Sequence, residues 1–168
     1  MRIGLLSDTH GYLEPRIADH FKTCDEIWHA GDIGSLSVID ALEAIRPVRA
    51  VFGNIDGPEI QARFPEDLRF ECEGLSILLT HIAGSPPRYN PRIRKELSTN
   101  IPDVLICGHS HILKVGRDAA HGNMLFVNPG AAGNHGFHAV KTLIRFSIVM
   151  GTVKEMEVVE LGKRGALA

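Results

Sequence analysis

Apolar segments alternate with amphipathic ones over the first third of the chain, and this alternation constrains the fold more than any other feature. Three segments are apolar runs of strand length and two have helical periodicity: strands at residues 2–6, 26–30 and 48–52, and helices at residues 12–22 and 35–45. Ser35 is suited to cap the second helix. A β-α-β-α-β order of this kind predicts a parallel sheet wound with the usual right-handed crossovers.

The rest of the chain follows a different pattern, in which strands succeed one another closely. Residues 68–72 and 75–80 are joined through Glu73 and Gly74, which predicts an antiparallel hairpin. Residues 84–90 are predicted as a loop and residues 91–97 as a short helix. A buried strand and then four antiparallel strands are predicted at residues 104–107, 113–116, 124–127, 141–149 and 153–161. We therefore expect one α/β domain over residues 1–168, with mixed sheets.

Charge and cysteine content narrow the class of protein. Eighteen basic and twenty acidic residues leave a net charge of −2, which gives no general attraction to nucleic acid or to an anionic membrane. No apolar run approaches the roughly 20 residues that cross a bilayer, and Asp8 interrupts the N-terminal apolar run too early for a signal peptide. Cys24 and Cys107 lie in or beside apolar runs, so buried free thiols are expected rather than disulfides. These features favour a cytoplasmic protein.

Residues of metal-binding type stand directly after five of the predicted strands. In chain order they are Asp8 and His10, Asp32, Asn54 and Asp56, His81, and His109 and His111. Because ligands gather at the carboxyl edge of the strands in wound α/β sheets, these fragments are expected to converge on one rim. Each fragment taken singly has an ordinary alternative. Asp32 is also typical of a turn or a helix cap, and His81 of a hydrogen-bonded core histidine.

The spacing within these fragments suits metal coordination. Residues i and i+2 of an extended segment project to the same side, so Asp8 with His10, and His109 with His111, can each direct two ligands to one point. Carboxylates, imidazoles and an amide, without a thiolate, suit Mn, Fe, Zn, Ni or Co rather than an all-oxygen Ca²⁺ site. Seven donors are too many for one tetrahedral ion and suit two ions that share a carboxylate.

The ordered set of motifs resembles the calcineurin-like metallophosphoesterase family. D-x-H, G-D, G-N-x-D, a histidine after a strand, and G-H-x-H follow one another between Asp8 and His111. The later sequence Asn128-Pro129-Gly130 resembles the closing loop of that family. The small size and the lack of insertions make the chain similar to the short phosphodiesterases of bacteria and archaea.

The resemblance implies a fold, a metal centre and a reaction. The implied fold is a layered α-β-β-α sandwich with two mixed sheets. The implied ligands are Asp8, His10 and His111 for one divalent ion, Asn54, His81 and His109 for the other, and Asp32 between the two. The implied activity is hydrolysis of a small phosphate diester by a hydroxide that bridges two ions, with Mn²⁺ as the expected metal. Asp32, Asn54 and His81 are the expected catalytic residues. The sequence does not determine the oligomeric state, and a homo-oligomer is one alternative.

One position departs from the family pattern. Many members have a histidine between the asparagine and the acidic residue of G-N-x-[DE], where it assists the leaving group, and this chain has Ile55 there. The small phosphodiesterase branch often lacks that histidine too, so the departure bears on esters with poor leaving groups rather than on metal binding. The sequence leaves two alternatives to a phosphodiesterase: a phosphomonoesterase that uses the same site, and a non-catalytic scaffold similar to the phosphoesterase-like subunit of the retromer coat.

Other polar residues near the motifs are given supporting or ordinary roles. Asp56 is expected to support the Asn54 loop or a ligand histidine, with a plain turn residue as the alternative. His29 is expected to be structural. Four further residues are candidates for contact with a substrate: His135, His138, Arg88 and Arg92. The ordinary interpretation, which we favour, is that they are exposed loop histidines and surface arginines.

Overall fold

The computed structural model describes residues 1–165, which form two five-stranded sheets, a two-stranded hairpin and four helices. The strands are β1 (Arg2–Leu6), β2 (Glu26–His29), β3 (Val48–Ala50), β4 (Asp67–Cys72), β5 (Leu75–Thr80), β6 (Gly84–Ser85), β7 (Arg88–Tyr89), β8 (Val104–Ile106), β9 (Leu113–Asp118), β10 (Met124–Pro129), β11 (Val140–Val149) and β12 (Thr152–Lys163). The helices are α1 (Ile17–Phe21), α2 (Leu36–Glu43), α3 (Pro58–Arg63) and α4 (Pro91–Thr99).

Both large sheets are mixed. The first has the order β12-β11-β1-β2-β3, in which β1, β2 and β3 run parallel and β11 lies antiparallel to β1. The second has the order β4-β5-β8-β10-β9, in which β5, β8 and β10 run parallel. The predicted parallel unit at the N-terminus and the predicted hairpin through Glu73 and Gly74 are both confirmed.

Alternation along the strands divides the core into three apolar layers. Ile3 and Leu5 of β1 face the second sheet, whereas Leu6 faces the helices α1 to α3. On the far side of the second sheet, Leu78 and Phe126 pack against α4. The layers therefore follow one another as helices, sheet, sheet and helix, which confirms the predicted α-β-β-α sandwich.

Side-chain caps set the beginnings of two helices. The Ser35 hydroxyl accepts a hydrogen bond from the Ser37 N–H at 3.2 Å, as predicted for α2. Asn90 accepts one from the Ile93 N–H at 2.8 Å, and Pro91 occupies the first position of α4, where its missing N–H is not needed.

Four local features differ from the predictions or were not predicted. The loop at 84–90 contains the small hairpin of β6 and β7, with a cis peptide bond between Pro86 and Pro87. The strand β10 pairs antiparallel with β9, as predicted, but its other edge pairs in parallel with β8, which was not predicted. The helix at 12–22 begins only at Ile17, since the preceding residues form turns. Finally α3 was not predicted, because a short helix that buries only Ile60 leaves little periodicity.

The structure also tests the predictions about the cysteines and about membrane-spanning segments. Cys24, Cys72 and Cys107 are buried free thiols, as predicted for the first and the last. Over residues 1–165, no helix is both long enough and apolar enough to cross a membrane.

A buried ion pair joins the loop after β1 to β11. Lys141 Nζ donates to Glu14 Oε2 at 2.6 Å, and both side chains are 1% exposed. Arg16 Nε donates to the other carboxylate oxygen at 2.9 Å. Burial alone raises the pKa of Glu14, but the hydrogen bonds from Arg16 and Lys141 outweigh it and lower the pKa to about 2. The loop that precedes α1 is thereby tied to β11.

We predict that Glu14→Gln lowers the free energy of unfolding at pH 7 by about 3–5 kcal/mol, because Lys141 is then a buried charge without its partner. The pKa of Glu14 in the folded protein lies below its ordinary value of 4.5. Its contribution is therefore complete above that pH and is lost as the pH falls toward 2, so the two proteins should converge there. Urea denaturation at several pH values measures the difference. The surface variant Asp19→Asn is the control, and equal stability of Glu14→Gln and the natural protein at pH 7 would contradict the assignment.

Candidate metal centre

The candidate ligands lie at one rim of the sandwich, where strands of both sheets end. Asp8 and His10 follow β1, Asp32 follows β2, and Asn54 follows β3, all in the first sheet. From the second sheet come a histidine after β5 and two after β8: His81, His109 and His111. The structure thus brings together all seven residues that the sequence proposed for the site.

One group consists of Asp8, His10 and His111, whose ligand atoms lie within 4.8 Å of one another. His111 Nε2 is 3.1 Å from Asp8 Oδ1 and 3.4 Å from His10 Nε2. Asp8 Oδ1 is fully buried and accepts no hydrogen bond, although His111 Nε2 is close to it. A buried oxygen without a donor and two imidazole nitrogens that face it fit a divalent cation.

The second group consists of Asp32, His81 and His109, within the same limit of 4.8 Å. His81 Nε2 lies 3.2 Å from Asp32 Oδ1 and 3.1 Å from Asn54 Oδ1. The other ring nitrogen of His81 donates to the Ala30 carbonyl at 2.8 Å, which leaves the Nε2 lone pair directed into the site. This arrangement also fits a divalent cation, with Asn54 as a further oxygen donor.

Asp32 is the residue that lies between the two groups. Its Oδ1 faces His81, and its Oδ2 is 3.6 Å from His10 Nε2 in the first group. The Ile55 N–H donates to Oδ1 at 3.1 Å and fixes the direction of the carboxylate. One carboxylate therefore has an oxygen available to each group.

The electrostatics of the groups reflect the balance between burial and charge. Burial lowers the pKa of His10, and the carboxylates of Asp32 and Asp8 offset this only in part. Burial favours the neutral form of His81, but the hydrogen bond that the protonated ring donates to Asp32 and the charge of Asp8 outweigh it and raise the pKa of His81. For Asp32, burial alone raises the pKa, and its contacts with His81 and the Ile55 N–H lower it overall. A cation in this place competes with protons for the same lone pairs.

Backbone strain is concentrated at the candidate ligands. Asp8, His10, Asp32, His109 and His111 have φ angles of 56°, 49°, 53°, 67° and 58°. Residues other than glycine rarely adopt this left-handed region, and each instance costs on the order of 1–3 kcal/mol. The surrounding fold therefore holds the side chains in place against a local preference, which is typical of functional sites.

Two glycines leave the space that the ligands occupy. A Cβ at Gly31 would lie 2.6 Å from His81 Nδ1, and Gly31 has a φ of +89°. A Cβ at Gly53 would collide with the carboxylate of Asp32. Close approach thus requires glycine at both positions, and the positive φ of Gly31 requires it there a second time.

Asp56 connects the loop after β2 with the loop after β3. Its buried carboxylate accepts hydrogen bonds from the N–H groups of Ile33 at 3.1 Å, Gly34 at 2.7 Å and Gly53 at 2.7 Å. These are backbone atoms directly beside Asp32 and Asn54. Of the two roles considered for Asp56, the contacts favour support of the Asn54 loop.

His29 is a buried neutral residue beneath the site. Its Nδ1 accepts from the Gly31 N–H at 3.2 Å, and its Nε2 lies 3.0 Å from the Thr9 hydroxyl. Burial is the main cause that lowers the pKa of His29 to about 4. The contacts match the structural role expected for it.

The loop histidines and the arginines have distinct positions. His135 and His138 lie over the first group, with ring centroids 4.9 Å from His10 and 5.2 Å from His111. Arg92 forms ion pairs with Asp67 and Glu66 and donates to the Ile82 carbonyl, so its guanidinium is occupied. The side chain of Arg88 is exposed beside the site.

Two features were not foreseen in the sequence. The first is that Asn128 supports the loop that carries His109. Its Nδ2 donates to the Gly108 carbonyl at 2.8 Å and to the Ser110 hydroxyl at 3.1 Å. The second is a cavity of about 400 Å³ that opens beside His109. No sequence pattern signals the cavity, because its lining comes from three separate segments of the chain.

We predict that Asp56→Asn lowers the affinity for Mn²⁺ by about 10–100-fold, a range typical of residues that orient metal ligands. The amide has one acceptor oxygen where the carboxylate has two, and it brings N–H groups against backbone donors. Isothermal titration calorimetry of metal-free protein measures the change, with Asp40→Asn as a surface control. Unaltered affinity in a folded Asp56→Asn protein would show that the two loops hold their positions without this carboxylate.

Comparisons with known proteins agree with this arrangement. Residues 1–151 match the model of the calcineurin-like phosphoesterase superfamily domain. A probable metallophosphoesterase of Methanothermobacter thermautotrophicus is 32% identical over 137 residues, which cover 78% of this chain and 77% of that protein.

Two solved structures share the fold. An archaeal phosphodiesterase has a TM-score of 0.76 at 22% identity and covers 95% of this chain and 99% of its own. Vps29 of Entamoeba histolytica, solved with Zn²⁺, has a TM-score of 0.71 at 21% identity and covers 96% of this chain and 100% of its own. These two likenesses concern the fold. The family model and the archaeal relative show the family: the chain belongs to the calcineurin-like phosphoesterase superfamily.

Proposed function

We propose that this chain is a phosphodiesterase that uses two divalent metal ions, and that residues 1–168 form one metallophosphoesterase domain. The observation that carries the proposal is the position of Asp32, with Oδ2 3.6 Å from His10 Nε2 and Oδ1 3.2 Å from His81 Nε2. A single carboxylate that reaches two groups of donors is suited to hold two ions close together.

With two divalent ions bound, the site would attract phosphate. When bound, two divalent ions lower the pKa of water and offset the charge that develops on a phosphoryl group. Asp8 and Asp32 are the carboxylates of the two groups, so two dications leave an excess of positive charge. Asn54 and His81 lie on the side of Asp32 that faces the second group, where they would hold the second ion. Asp32, Asn54 and His81 are the catalytic residues of the proposal.

Manganese is the metal that we propose. The donors of both groups are oxygen and nitrogen atoms, which suits Mn²⁺ and leaves Ni, Fe, Zn and Co as other occupants. The thiol of Cys107 takes no part. It is buried beneath the rim and in contact with Asn128 Nδ2 at 3.8 Å.

The cavity beside His109 favours diesters over monoesters. A phosphate diester has a second organic arm, and about 400 Å³ next to a candidate ligand gives that arm a place. Against a non-catalytic scaffold stands the complete donor set, since Asp8, His10, Asp32, Asn54, His81, His109 and His111 are all of metal-binding type. The likeness to Vps29 concerns the fold alone.

We predict that the purified protein hydrolyses bis(p-nitrophenyl) phosphate with Mn²⁺ and loses this activity to a chelator. Asp32→Asn should reduce kcat more than any other single change among the donors, because this carboxylate faces both groups. Release of p-nitrophenolate measures the rate, and Asp19→Asn, an exposed aspartate in a surface pair, is the matched control. Full activity without metal, or in Asp32→Asn, is incompatible with a two-metal site.

The dependence on the leaving group follows from Ile55. This side chain is 45% exposed at the mouth of the site and has no proton to donate. General acid catalysis typically contributes roughly 10²–10⁴-fold, so the departing oxygen must instead carry its own negative charge.

We predict that rates fall steeply as the pKa of the leaving group rises, with aryl esters hydrolysed far faster than alkyl esters. Ile55→His should flatten this dependence and help alkyl esters most, and Ile55→Val is the control for a change of size. A series of aryl and alkyl methyl phosphates measures the slope. A shallow slope in the natural protein would mean that another acid acts, with His135 and His138 nearest to the first group.

A further inference from the structure

The cavity beside His109 has a composition that distinguishes it from an ordinary surface depression. Its lining includes two basic side chains, two hydroxyls and an apolar group: Arg88, Lys114, Ser85, Ser110 and Ile112. Ile112 is 66% exposed, so its side chain is available to a ligand. A volume of about 400 Å³ is within the range of small-molecule sites.

The two basic side chains carry charge that no carboxylate neutralises. Among the ion pairs of residues 1–165, none involves Arg88 or Lys114. Lys114 Nζ donates to the Ser85 hydroxyl at 3.2 Å and to the Pro86 carbonyl at 3.3 Å, which hold the ammonium group at the wall of the cavity. These two acceptors are uncharged, so the positive charge remains available.

Positive charge continues on the far side of Arg88. This residue also lines a neighbouring cavity of about 380 Å³, together with Arg94 and His121. The carboxylate behind that surface, Asp118, is buried and already accepts from the Tyr89 hydroxyl at 2.6 Å and faces His121 Nδ1 at 2.8 Å. Among residues 1–165, the ion pair of Asp118 is with His121 and not with Arg88.

We propose that this cavity binds one arm of a phosphate diester and that Arg88 and Lys114 recognise a second phosphate on that arm. The inference rests on the proposed function and narrows its substrate class to diesters with a nucleoside-sized arm that has an additional anionic end. Guanidinium and ammonium groups bind phosphate strongly, and the hydroxyls and Ile112 suit a sugar and a ring. The scissile phosphate lies at the metal centre, and His109 stands between it and the cavity.

The test compares two esters that differ only in the second phosphate. These are thymidine 5′-(p-nitrophenyl phosphate) and the same compound with a 3′-phosphate. Both release p-nitrophenolate, so the bond broken and the leaving group are the same. With Mn²⁺ and the natural protein, we expect KM to be about tenfold lower or more for the 3′-phosphorylated ester, as is typical when charged groups form new hydrogen bonds.

Variants of the two basic residues show whether their side chains cause the preference for the 3′-phosphorylated ester. Arg88→Gln and Lys114→Gln should each bring the ratio of the two KM values toward one, and the double variant should remove most of it. Arg117→Gln and Lys154→Gln are matched controls on the same two residue types. Both are exposed, and Arg117 lines a different cavity, so neither should alter the ratio.

The outcomes separate this inference from the function on which it rests. Equal KM values for two esters that are both hydrolysed would overturn the inference and leave the phosphodiesterase intact. A preference that survives in the double variant would overturn the assignment of Arg88 and Lys114. Failure to hydrolyse either ester, with Mn²⁺ bound, would remove the proposed function and the inference together.

Discussion

Apolar packing between the two sheets is the interaction on which the candidate metal centre depends. Each group of ligands takes residues from both sheets, since Asp8 and His10 meet His111, and Asp32 meets His81 and His109. No loop by itself contains a complete group. The positions of the ligands are therefore set by the interior side chains between the sheets, among them Ile3, Trp28, Ile77, Ile106 and Phe146.

Hydrogen bonds between the loops then hold a backbone that local preferences oppose. The Asp8 N–H donates to the Gly31 carbonyl at 3.0 Å, and the His10 N–H donates to the Asp32 carbonyl at 3.0 Å. Asp56 adds its three contacts on the other side of Asp32. Residues with positive φ are stable here because each loop supports the next. Hydrogen bonds between the loops thus offset the cost of the strained backbone, and they fix the positions of the candidate ligands.

Much of this arrangement could be predicted from the sequence, for identifiable reasons. The strands and their order follow from apolar periodicity, and the ligands could be found because each stands at the end of a strand, where a polar residue is otherwise costly. The limits are equally physical. The parallel pairing of β10 with β8 depends on contacts distant in sequence, and the cavity beside His109 depends on how separate segments meet. The inward turn of Glu14 toward Lys141 joins positions 127 apart, which no local pattern records.

The split of each ligand group between the sheets has a consequence for folding. His10 and His111 are 101 positions apart, so a site built from them exists only after most of the chain has reached its place. An ion that binds both residues is a non-covalent cross-link, which closes a long loop and binds the folded state alone. By mass action it stabilises that state in proportion to the logarithm of its concentration above the dissociation constant. If these residues bind metal, the concentration of free metal would set how strongly one half of the sandwich is held to the other.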